Sequence, residues 1–298
     1  PMLICSECGC APNCIYCDVT LTYHKLNKQL RCHYCGYSKD IKTNCEKSSS
    51  CNFIDKGFGT EQIEETIKII FPTIKVQRMD YDTTRGKKSY ENIISNFENG
   101  NTQILIGTQM LSKGLDFDNV SLVGILNADS MLNFSDFRAY ERAFQLMSQV
   151  AGRSGRKGKK GKVLIQTYDI DNSIFSLIKN SDFNQFANNQ LKERKMFSYP
   201  PYNRLIKISI RHKDQNKVED ASSLYSNLLK ASFRSRVLGP EYPYVSRVRN
   251  NYIKNILLKI EHTSSIKEAK KILLLVNQKI KLNSKFKTIK IDIDIDPL

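Results

Sequence analysis

Residues 102–129 read TQILIGTQMLSKGLDFDNVSLVGILNAD, which is two apolar runs separated by a polar loop. The runs TQILIGT and VSLVGILNAD are short, rich in aliphatic residues and bounded by turn-forming residues, a pattern typical of strands. The second run is almost entirely apolar, which predicts a strand covered on both faces. The stretch therefore predicts two strands of a buried sheet.

Helices and further strands alternate with these two runs along the chain. Amphipathic helices are predicted from Thr60, from Lys87 to Asn99 and from Ser135 to Val150, and strands at IKVQRM and KVLIQTY. Such alternation implies right-handed crossovers and a parallel sheet that carries its ligands at the carboxyl ends of the strands. The fold class predicted for this part of the chain is α/β.

The length of 298 residues predicts more than one hydrophobic core. Three domains are predicted: a cysteine-rich module at 1–56, the parallel-sheet domain at 57–190 and a C-terminal domain at 191–298. The last domain reads strand, helix, strand, helix, strand, from LIKISIRH to TIKIDIDID. It is therefore predicted to be a small α/β domain with antiparallel character.

The formal net charge of +16 indicates a polyanionic partner, because each neutralised phosphate releases counterions. The positive charge is partly clustered, in RKGKKGK at 156–162 and RVRNNYIK at 247–254. A role in solubility alone is the alternative. The sequence contains neither an apolar run of roughly 18 residues nor a secretory signal, so a soluble, intracellular protein without a membrane partner is expected.

Eight of the nine cysteines lie before residue 50, and the ninth is Cys51. Three pairs have the spacing C-x-x-C: Cys5 with Cys8, Cys14 with Cys17, and Cys32 with Cys35. Each such turn places two thiolates on one side, where they supply half of a tetrahedral Zn²⁺ shell. An odd cysteine count argues against a disulfide framework, and thioredoxin-like chemistry needs only one C-x-x-C beside a βαβ unit. Two zinc ions are therefore predicted.

A fourth pair is incomplete, because Ser48 stands where a second cysteine would complete the C-x-x-C that begins at Cys45. A serine hydroxyl is a poor zinc ligand. Cys51, three residues further on, is an alternative ligand, and without it the site has three cysteine ligands. Cys10, between two pairs, is either a spare ligand or a small buried side chain. A packing or surface role is the preferred interpretation of the two histidines in the module, His24 and His33.

Polar residues collect at the predicted carboxyl edge of the sheet, in the loop between the two apolar runs and at the end of the following helix. The loop, GTQMLSKGLDF, contains Thr108, Gly114 and Asp116, and the helix ends in QVAGRSGR. Within QVAGRSGR, Arg153 and Arg156 are planar, permanently charged donors that suit phosphate oxygens. A solvated helix end also explains two arginines, but their combination with the loop predicts a phosphate site.

A basic strand in the C-terminal domain is a second candidate site for a polyanion. Its stretch RVRNNYIKNILLK combines two arginines, an aromatic ring and a lysine: Arg247, Arg249, Tyr252 and Lys254. Cations suit phosphates, and an aromatic ring suits base stacking. A solvated basic strand is the alternative interpretation.

Several stretches together resemble the second RecA-like motor domain of superfamily 2 helicases, and most closely the family of bacterial replication-restart helicases. The stretches are GFGTEQIEE, RMDYDTT, ILIGTQMLSKGLDFDNVSLVGILNAD, DFRAYERAFQLMSQVAGRSGR and VLIQTY. The same family has a cysteine-rich insertion with the segment LTYHK, found here at 21–25, and downstream YPP, GP and IDIDP elements. The resemblance covers essentially the whole chain and implies a RecA-like helicase domain that carries a zinc-binding module.

The resemblance implies an ATP site between two RecA-like domains, in which the second domain supplies arginines to the γ-phosphate. In this sequence Arg156 matches the arginine finger, Arg153 matches its neighbour, and Gln149 matches a residue that orients nucleotide or water. Gly114 and Asp116 match the motif that couples the nucleotide state to the grip on DNA. Thr108, nearby, matches a contact to the phosphate backbone of DNA.

The resemblance also implies the zinc ligands and the partners. By the family pattern one zinc ion binds Cys14, Cys17, Cys32 and Cys35, and the other binds Cys5, Cys8 and Cys45, with Ser48 leaving the second set one ligand short. The implied partners are forked and single-stranded DNA, the single-strand DNA-binding protein and other primosome proteins. The implied state is a monomer in the bacterial cytoplasm, associated with the nucleoid.

No phosphate loop of the form G-x-x-x-x-G-K-[ST] occurs in the 298 residues, and residue 1 is a proline. The sequence is therefore interpreted as the C-terminal half of an ATP-dependent 3′ to 5′ DNA helicase. Its first motor domain is expected upstream, with ATP and Mg²⁺ bound between the halves, and the isolated chain is expected to be inactive. A zinc-containing DNA-binding adaptor without ATPase activity is the alternative.

Overall fold

The computed structural model describes residues 2–24, 28–41, 45, 53–56, 59–81, 83–84, 86–112, 117, 119–152 and 161–297. The chain divides into two compact units, Pro1–Gly57 with Arg194–Leu298, and Phe58–Glu193. The cysteine-rich and C-terminal parts therefore share one unit. The predicted domain boundaries after residues 56 and 190 stay predictions.

The cysteine-rich part forms a small antiparallel sheet of short strands. Its strands are β1 Met2–Cys5, β2 Thr22–His24, β3 Gln29–Arg31, β4 Ser38–Asp40 and β5 Phe53–Lys56, in the order β4-β3-β2-β1-β5. The buried apolar cluster beside this sheet contains three leucines together with cysteines: Leu3, Leu21, Leu30, Cys14, Cys17 and Cys32. A core this small supplies little hydrophobic stabilisation, which is typical of modules that depend on a bound metal.

The second unit alternates helices and strands, as predicted. Its elements are α1 Thr60–Ile70, β6 Val76–Met79, α2 Lys87–Glu98, β7 Ile104–Gly107, β8 Leu122–Ile125, α3 Asp129–Leu132, α4 Ala139–Ala151, β9 Lys162–Ile165, α5 Ser173–Lys179 and α6 Phe183–Met196, which runs past the unit boundary. Strand β6 pairs in parallel with β7, and β8 pairs in parallel with β9. The predicted parallel pairing is therefore confirmed.

The prediction that VSLVGILNAD forms a strand covered on both faces is wrong for the described residues. Leu122 in β8 is 54% exposed, and Leu164 in β9 is 61% exposed. Alternate side chains of a strand point to opposite faces, and only one face of this pair packs on the core, where Ile125 and Ile165 contact a cluster that includes Phe144 of α4. Among the described residues, this apolar run therefore packs on the core through one face of the strand, and its other face is exposed.

Helix α4 begins four residues later than predicted, at Ala139 instead of Ser135. The chain before it forms a turn in which the Asp136 carboxylate accepts the Arg138 N–H at 2.8 Å. The predicted core side of the helix is confirmed at Phe144 and Met147, which are both buried. The Phe144 ring stacks on Phe186 of α6 with ring centroids 4.1 Å apart.

Gly107, the last residue of β7, lies opposite Met79 of β6 at a position where a side chain does not fit. An added Cβ would lie 2.6 Å from the Met79 carbonyl oxygen and 2.7 Å from Leu111 Cγ. We expect Gly107→Ala to destabilise this unit by about 1–3 kcal/mol, because β6 or the turn at Leu111 has to move. Hydrogen exchange at the amides of β6 and β7 measures this loss.

Gly124→Ala is the matched control for this prediction. Gly124 also lies in a parallel strand, β8, but nothing lies within 4 Å of a Cβ added there. The control is expected to keep the exchange rates of the unaltered chain. Equal exchange in the two variants would contradict the steric explanation.

The C-terminal part is an antiparallel sheet with two long helices. Its elements are β10 Asn203–His212, α7 Gln215–Phe233, β11 Val237–Glu241, β12 Arg247–Val248, β13 Asn251–Glu261, α8 Ile266–Leu282 and β14 Lys290–Ile295. The sheet order is β11-β13-β10-β14, with β12 paired to β13. Alternate residues of β10 are buried in the same core as Tyr225 of α7 and Leu273 of α8: Ile206, Ile208 and Ile210. The predicted antiparallel α/β order is confirmed, and the short strands β11 and β12 are additions to it.

Among the described residues, none of the helices combines the length and the apolar character that a membrane span requires.

Candidate zinc centres and motor-site residues

Four thiols converge in the first cysteine cluster. The Sγ atoms of Cys14, Cys17, Cys32 and Cys35 all lie within 4.8 Å of one another, and those of Cys14 and Cys35 are 3.5 Å apart. A tetrahedral Zn²⁺ ion with Zn–S bonds of about 2.3 Å separates its sulfur ligands by about 3.8 Å. Both the donor set and its spacing therefore fit zinc.

Backbone turns place the two thiols of each C-x-x-C pair on one side. After Cys32, the Gly36 N–H donates to the Cys32 carbonyl oxygen at 2.9 Å, and the Cys32 N–H donates to that of Tyr37 at 2.8 Å. Gly36 has φ +82°, and Gly9, after the pair Cys5 and Cys8, has φ +68°. Glycine adopts this left-handed backbone without a steric penalty, so it lets the chain turn back directly behind the second thiol.

Among the backbone amides that donate to thiols of the first cluster are those of Tyr16, Tyr37 and Arg249. The pairs are Tyr16 N–H to Cys14 Sγ at 3.4 Å, Tyr37 N–H to Cys35 Sγ at 3.4 Å and Arg249 N–H to Cys17 Sγ at 3.3 Å. Such bonds stabilise a thiolate and fix the orientation of a metal ligand. The third donor comes from the C-terminal part of the chain, and the sequence analysis did not predict it.

Without a cation, burial keeps the thiols of Cys14 and Cys17 in their protonated form at neutral pH. Burial raises the pKa of Cys14 and raises the pKa of Cys17 to about 12. Burial acts in the same direction at Cys32, but N–H bonds from Cys35 and Tyr34 outweigh it and lower the pKa of that thiol. Zinc binding at this cluster therefore has to release protons.

Three thiols form the second cluster. The Sγ atoms of Cys5, Cys8 and Cys45 all lie within 4.8 Å of one another, with those of Cys8 and Cys45 3.6 Å apart. Cys10 packs against this cluster but is not one of the three. The other two positions discussed for the fourth ligand lie outside the described residues: Ser48 and Cys51. The described residues thus supply three ligands of a four-ligand site.

The two histidines of the module belong to neither cysteine cluster. The rings of His24 and His33 lie against each other, with centroids 5.3 Å apart. Their arrangement favours the packing role over the ligand role among the described residues.

Two predicted motor-site residues lie in the described part of the chain, on elements that pack together. Thr108 follows β7, and its carbonyl oxygen accepts the Leu111 N–H at 3.0 Å within the short 3₁₀ helix Gln109–Ser112. Helix α4 packs against this 3₁₀ helix and carries the exposed Gln149 in its last turn. The remaining predicted residues lie outside the described residues: Gly114, Asp116, Arg153 and Arg156.

A buried aspartate joins two of the stretches that carry the helicase resemblance. Asp80 of RMDYDTT is 8% exposed, and it accepts Thr60 Oγ1 of GFGTEQIEE at 2.7 Å. Asp80 also accepts the Thr83 N–H at 3.0 Å, and Arg78 Nε lies 3.2 Å from its carboxylate. The sequence analysis did not single out Asp80, although an aspartate followed by threonines is typical of a turn closed by side chains.

Asp129 joins two further stretches in the same way. It ends ILNAD and accepts Thr167 Oγ1 at 2.9 Å and the Tyr168 N–H at 3.0 Å, both from VLIQTY. Partial burial acts to raise the pKa of Asp129, but these hydrogen bonds outweigh it and lower the pKa. The two aspartates therefore act as structural links between motifs.

A third aspartate fixes the start of α4, the helix that carries Gln149. The Asp136 carboxylate accepts Arg138 Nε at 3.1 Å, and Arg142 lies 3.3 Å away. Partial burial acts to raise the pKa of Asp136, but the hydrogen bonds from Arg138 and the charges of both arginines outweigh it and lower the pKa below its ordinary value of 3.8. The ionised carboxylate therefore stabilises the folded unit.

We expect Asp136→Asn to lower the stability of α4 by about 1.5 kcal/mol at neutral pH, because bonds to a charged acceptor are lost. A lowered pKa means that the carboxylate stabilises the fold above pH 3.8, and that this stabilisation is lost as the pH falls through the folded-state pKa. Hydrogen exchange at α4 amides should therefore differ between variant and unaltered chain at pH 7 and converge in acid. A constant difference across this range would contradict the assignment.

The predicted DNA-binding residues lie on β12, on β13 and in the turn between them, and most have partners within the protein. Arg247 Nε lies 2.9 Å from Asp18 Oδ1, and Lys254 Nζ pairs with a carboxylate oxygen of Glu219. Tyr252 packs against the C-terminal core, whereas Arg249 is exposed. DNA contact stays a prediction for all four: Arg247, Arg249, Tyr252 and Lys254.

Three family models match successive parts of the chain. The model of the PriA DNA helicase Cys-rich region (CRR) domain matches residues 14–39. The helicase conserved C-terminal domain model matches residues 47–158, and the primosomal protein N C-terminal domain model matches residues 195–298. The first match covers all four cysteines of the first cluster, and the second covers Thr108 and Gln149.

Curated relatives match the chain along its whole length. The replication restart protein PriA of Bacillus subtilis (strain 168) is 36% identical over 297 residues, which is 99% of this chain and 36% of that protein. The replication restart protein PriA of Haemophilus influenzae is 37% identical over 301 residues, 100% of this chain and 40% of that protein. The PriA of Borreliella burgdorferi is 32% identical over 303 residues, 99% of this chain and 44% of that protein. The chain thus spans less than half the length of these relatives.

Proposed function

This chain belongs to the PriA family of replication restart proteins, and we propose that it forms the second motor half of an ATP-dependent 3′ to 5′ DNA helicase acting at stalled or forked DNA. The observation that carries the proposal is the match of the helicase C-terminal domain model to residues 47–158. Within that range the 3₁₀ helix after Thr108 packs against α4, the helix that carries Gln149.

The proposed ATP site lies between this unit and another RecA-like domain that supplies the phosphate loop and the Mg²⁺ ligand. Arg156 acts as the arginine finger on the γ-phosphate, with Arg153 beside it, because a guanidinium donates to two phosphate oxygens at once. Gln149 orients the nucleotide or the attacking water.

The loop after β7 is proposed to couple the nucleotide state to DNA. Thr108 contacts the phosphate backbone, and Gly114 and Asp116 belong to the motif that couples the two. A loop that follows directly on a strand suits this role, because the rigid strand fixes one of its ends.

Zinc is the proposed cofactor of both cysteine clusters. The support is the set of four thiols at Cys14, Cys17, Cys32 and Cys35, and the set of three at Cys5, Cys8 and Cys45. When bound, the ion crosslinks loops that a small apolar core would not hold together. The second site requires one more ligand, and Cys51 or Cys10 is proposed to supply it.

The proposed partners are forked and single-stranded DNA, the single-strand DNA-binding protein and other primosome proteins. The net charge of +16 supports a polyanionic partner. The proposed state is a monomer at the nucleoid, in the bacterial cytoplasm.

Strand displacement tests the proposed polarity. We expect a fusion of this chain to the N-terminal part of the Bacillus subtilis relative to unwind a partial duplex with a 3′ single-stranded tail in the presence of ATP and Mg²⁺. A matched duplex with a 5′ tail should stay intact. Unwinding of the 5′-tailed duplex alone would contradict the proposed direction.

A DNA-binding adaptor without ATPase activity is the second candidate function. It is supported by the net charge of +16, because salt-dependent binding to a polyanion requires no nucleotide site. An adaptor would bind both tailed duplexes in a salt-dependent manner, and the fusion would unwind neither of them.

A further inference from the structure

A hairpin of the C-terminal part lies directly on the first cysteine turn of the zinc module. We define the clasp hairpin as residues 246–251 and the knuckle as residues 14–18. Strands β12 and β13 pair with Val248 opposite Asn251, which leaves Arg249 and Asn250 as a two-residue tip. Both tip residues have positive φ, 49° and 60°, as in a type I′ turn.

Three backbone amides donate hydrogen bonds between the clasp hairpin and the knuckle. They are Arg249 N–H to Cys17 Sγ at 3.3 Å, Asn250 N–H to Tyr16 O at 2.8 Å and Asp18 N–H to Arg247 O at 2.9 Å. The two tip amides do not pair β12 with β13, because they lie beyond the last strand pair. They are therefore available to the knuckle, and both are used there.

Side chains of the clasp hairpin and the knuckle also contact each other, beside these hydrogen bonds. Arg247 Nε lies 2.9 Å from Asp18 Oδ1, and its guanidinium also donates to the Ile15 carbonyl oxygen at 3.3 Å. The Ser246 hydroxyl donates to the Asp18 carboxylate, and Val248 packs against the apolar cluster that contains Cys17. The clasp hairpin thus contacts the knuckle through charge, apolar surface and backbone together.

We propose that the clasp hairpin is part of the first zinc site, so that zinc binding by the knuckle and docking of the C-terminal part depend on each other. Arg249 is a positioning residue that acts through its backbone amide on the Cys17 sulfur. A metal-bound thiolate is a stronger hydrogen-bond acceptor than a neutral thiol, so the amide bond to Cys17 strengthens when zinc is present. By linkage, whatever strengthens docking also tightens zinc binding by the same factor.

Of the contacts between the clasp hairpin and the knuckle, the amide bond to Cys17 should affect zinc affinity most. By itself, a partly exposed ion pair such as that of Arg247 with Asp18 changes an equilibrium constant by at most about fivefold. Loss of a hydrogen bond to a metal ligand commonly costs about 10- to 100-fold in metal affinity. The inference rests on zinc as the ion at the first cluster and does not depend on helicase activity.

Hydrogen exchange on the unaltered chain tests the inference directly. The amides of Arg249 and Asn250 are expected to exchange at least about tenfold more slowly in the zinc-loaded chain than after zinc is removed with a chelator. The amide of Ile208, buried in β10, is the internal control and should not change. Equal rates at the hairpin in both states would overturn the inference. An equal change at Ile208 would also overturn it, because it would indicate unfolding of the whole C-terminal part.

Charge variants test the reverse direction. Arg247→Glu places a second carboxylate beside Asp18, which should displace the hairpin tip and break its amide bond to Cys17. It is therefore expected to speed release of one zinc equivalent to a chromogenic chelator by about tenfold. The double variant Asp18→Lys with Arg247→Glu restores the pair with opposite sign and should return release to the original rate. Arg236→Glu is the matched control, because it breaks the Arg236–Glu261 pair of the C-terminal part. Unchanged release in Arg247→Glu, equal acceleration in the control, or failure of the double variant to restore would each overturn the inference.

Discussion

Replacing Cys32 by serine is expected to remove one zinc equivalent from the chain and to unfold the cysteine-rich part around the first cluster. Cys32 is fully buried, and its Sγ lies within 4.8 Å of three other thiols. Structural zinc contributes about 10–16 kcal/mol to modules of this kind, more than a core containing a few leucines supplies. Native mass spectrometry measures the zinc content, and hydrogen exchange at β2 and β3 measures the unfolding.

Cys10→Ser is the matched control for the Cys32 variant. Cys10 lies in the same part of the chain but is not one of the four thiols of the first cluster. Because Cys10 is a candidate ligand of the second cluster, the two variants are compared at the first cluster. There Cys10→Ser is expected to keep the zinc ion and, with it, the protection of β2 and β3. If Cys32→Ser kept its full zinc content, the assignment of the first cluster as a zinc site would be wrong.

Arg156→Ala is expected to reduce DNA-stimulated ATP hydrolysis by about 10³-fold or more when this chain is fused to the N-terminal part of the Bacillus subtilis relative. An arginine finger stabilises the charge that develops on the transferred phosphoryl group, and its loss typically costs 10³ to 10⁵ in kcat. The binding of DNA should change little, because one charge among 46 lysines and arginines is removed. A steady-state phosphate-release assay measures the effect.

Lys162→Ala provides the comparison for the arginine variant. Lys162 is an exposed cation at the start of β9, a few residues beyond Arg156. It is expected to leave ATP hydrolysis within about twofold of the unaltered fusion, since scattered surface charges contribute little. Similar losses in the two variants would assign the effect to general charge and not to an arginine finger.

The ligands of the first zinc site could be predicted from the sequence, but the groups that donate hydrogen bonds to those ligands could not. C-x-x-C spacing places the thiols of Cys14, Cys17, Cys32 and Cys35 locally, so a sequence pattern is sufficient to find them. The amide donor to Cys17 belongs to Arg249, 232 residues away. The sequence does not indicate which backbone amide donates to a given side chain. Only the hairpin geometry places this amide beside the Cys17 sulfur.

The basic strand of the C-terminal part shows a related limit of sequence patterns. A row of cations predicts phosphate contacts, but it does not reveal which cations the fold itself uses. Arg247 pairs with Asp18 and Lys254 pairs with Glu219 of α7, so both side chains have partners inside the protein. The partners lie far away in sequence, where no local pattern indicates them.

In the parallel-sheet unit, the order of helices and strands could be predicted from the sequence, but the burial of the strands could not. Alternation of apolar runs identified β7 and β8 and the core face of α4, because those periods follow from local geometry. The exposed faces of Leu122 and Leu164 were not predicted, since an apolar run does not tell whether one face or both are covered. The links made by Asp80 and Asp129 were also missed, because each joins stretches that are separate in the sequence.

The measurement that tests the account most directly is ATP hydrolysis by this chain, alone and fused to the N-terminal part of the Bacillus subtilis relative, with and without single-stranded DNA. The account predicts no turnover by the chain alone and turnover by the fusion that DNA stimulates and Arg156→Ala abolishes. Robust turnover by the chain alone, or a fusion that binds DNA and never hydrolyses ATP, would contradict the assignment of this chain as the second half of a composite motor.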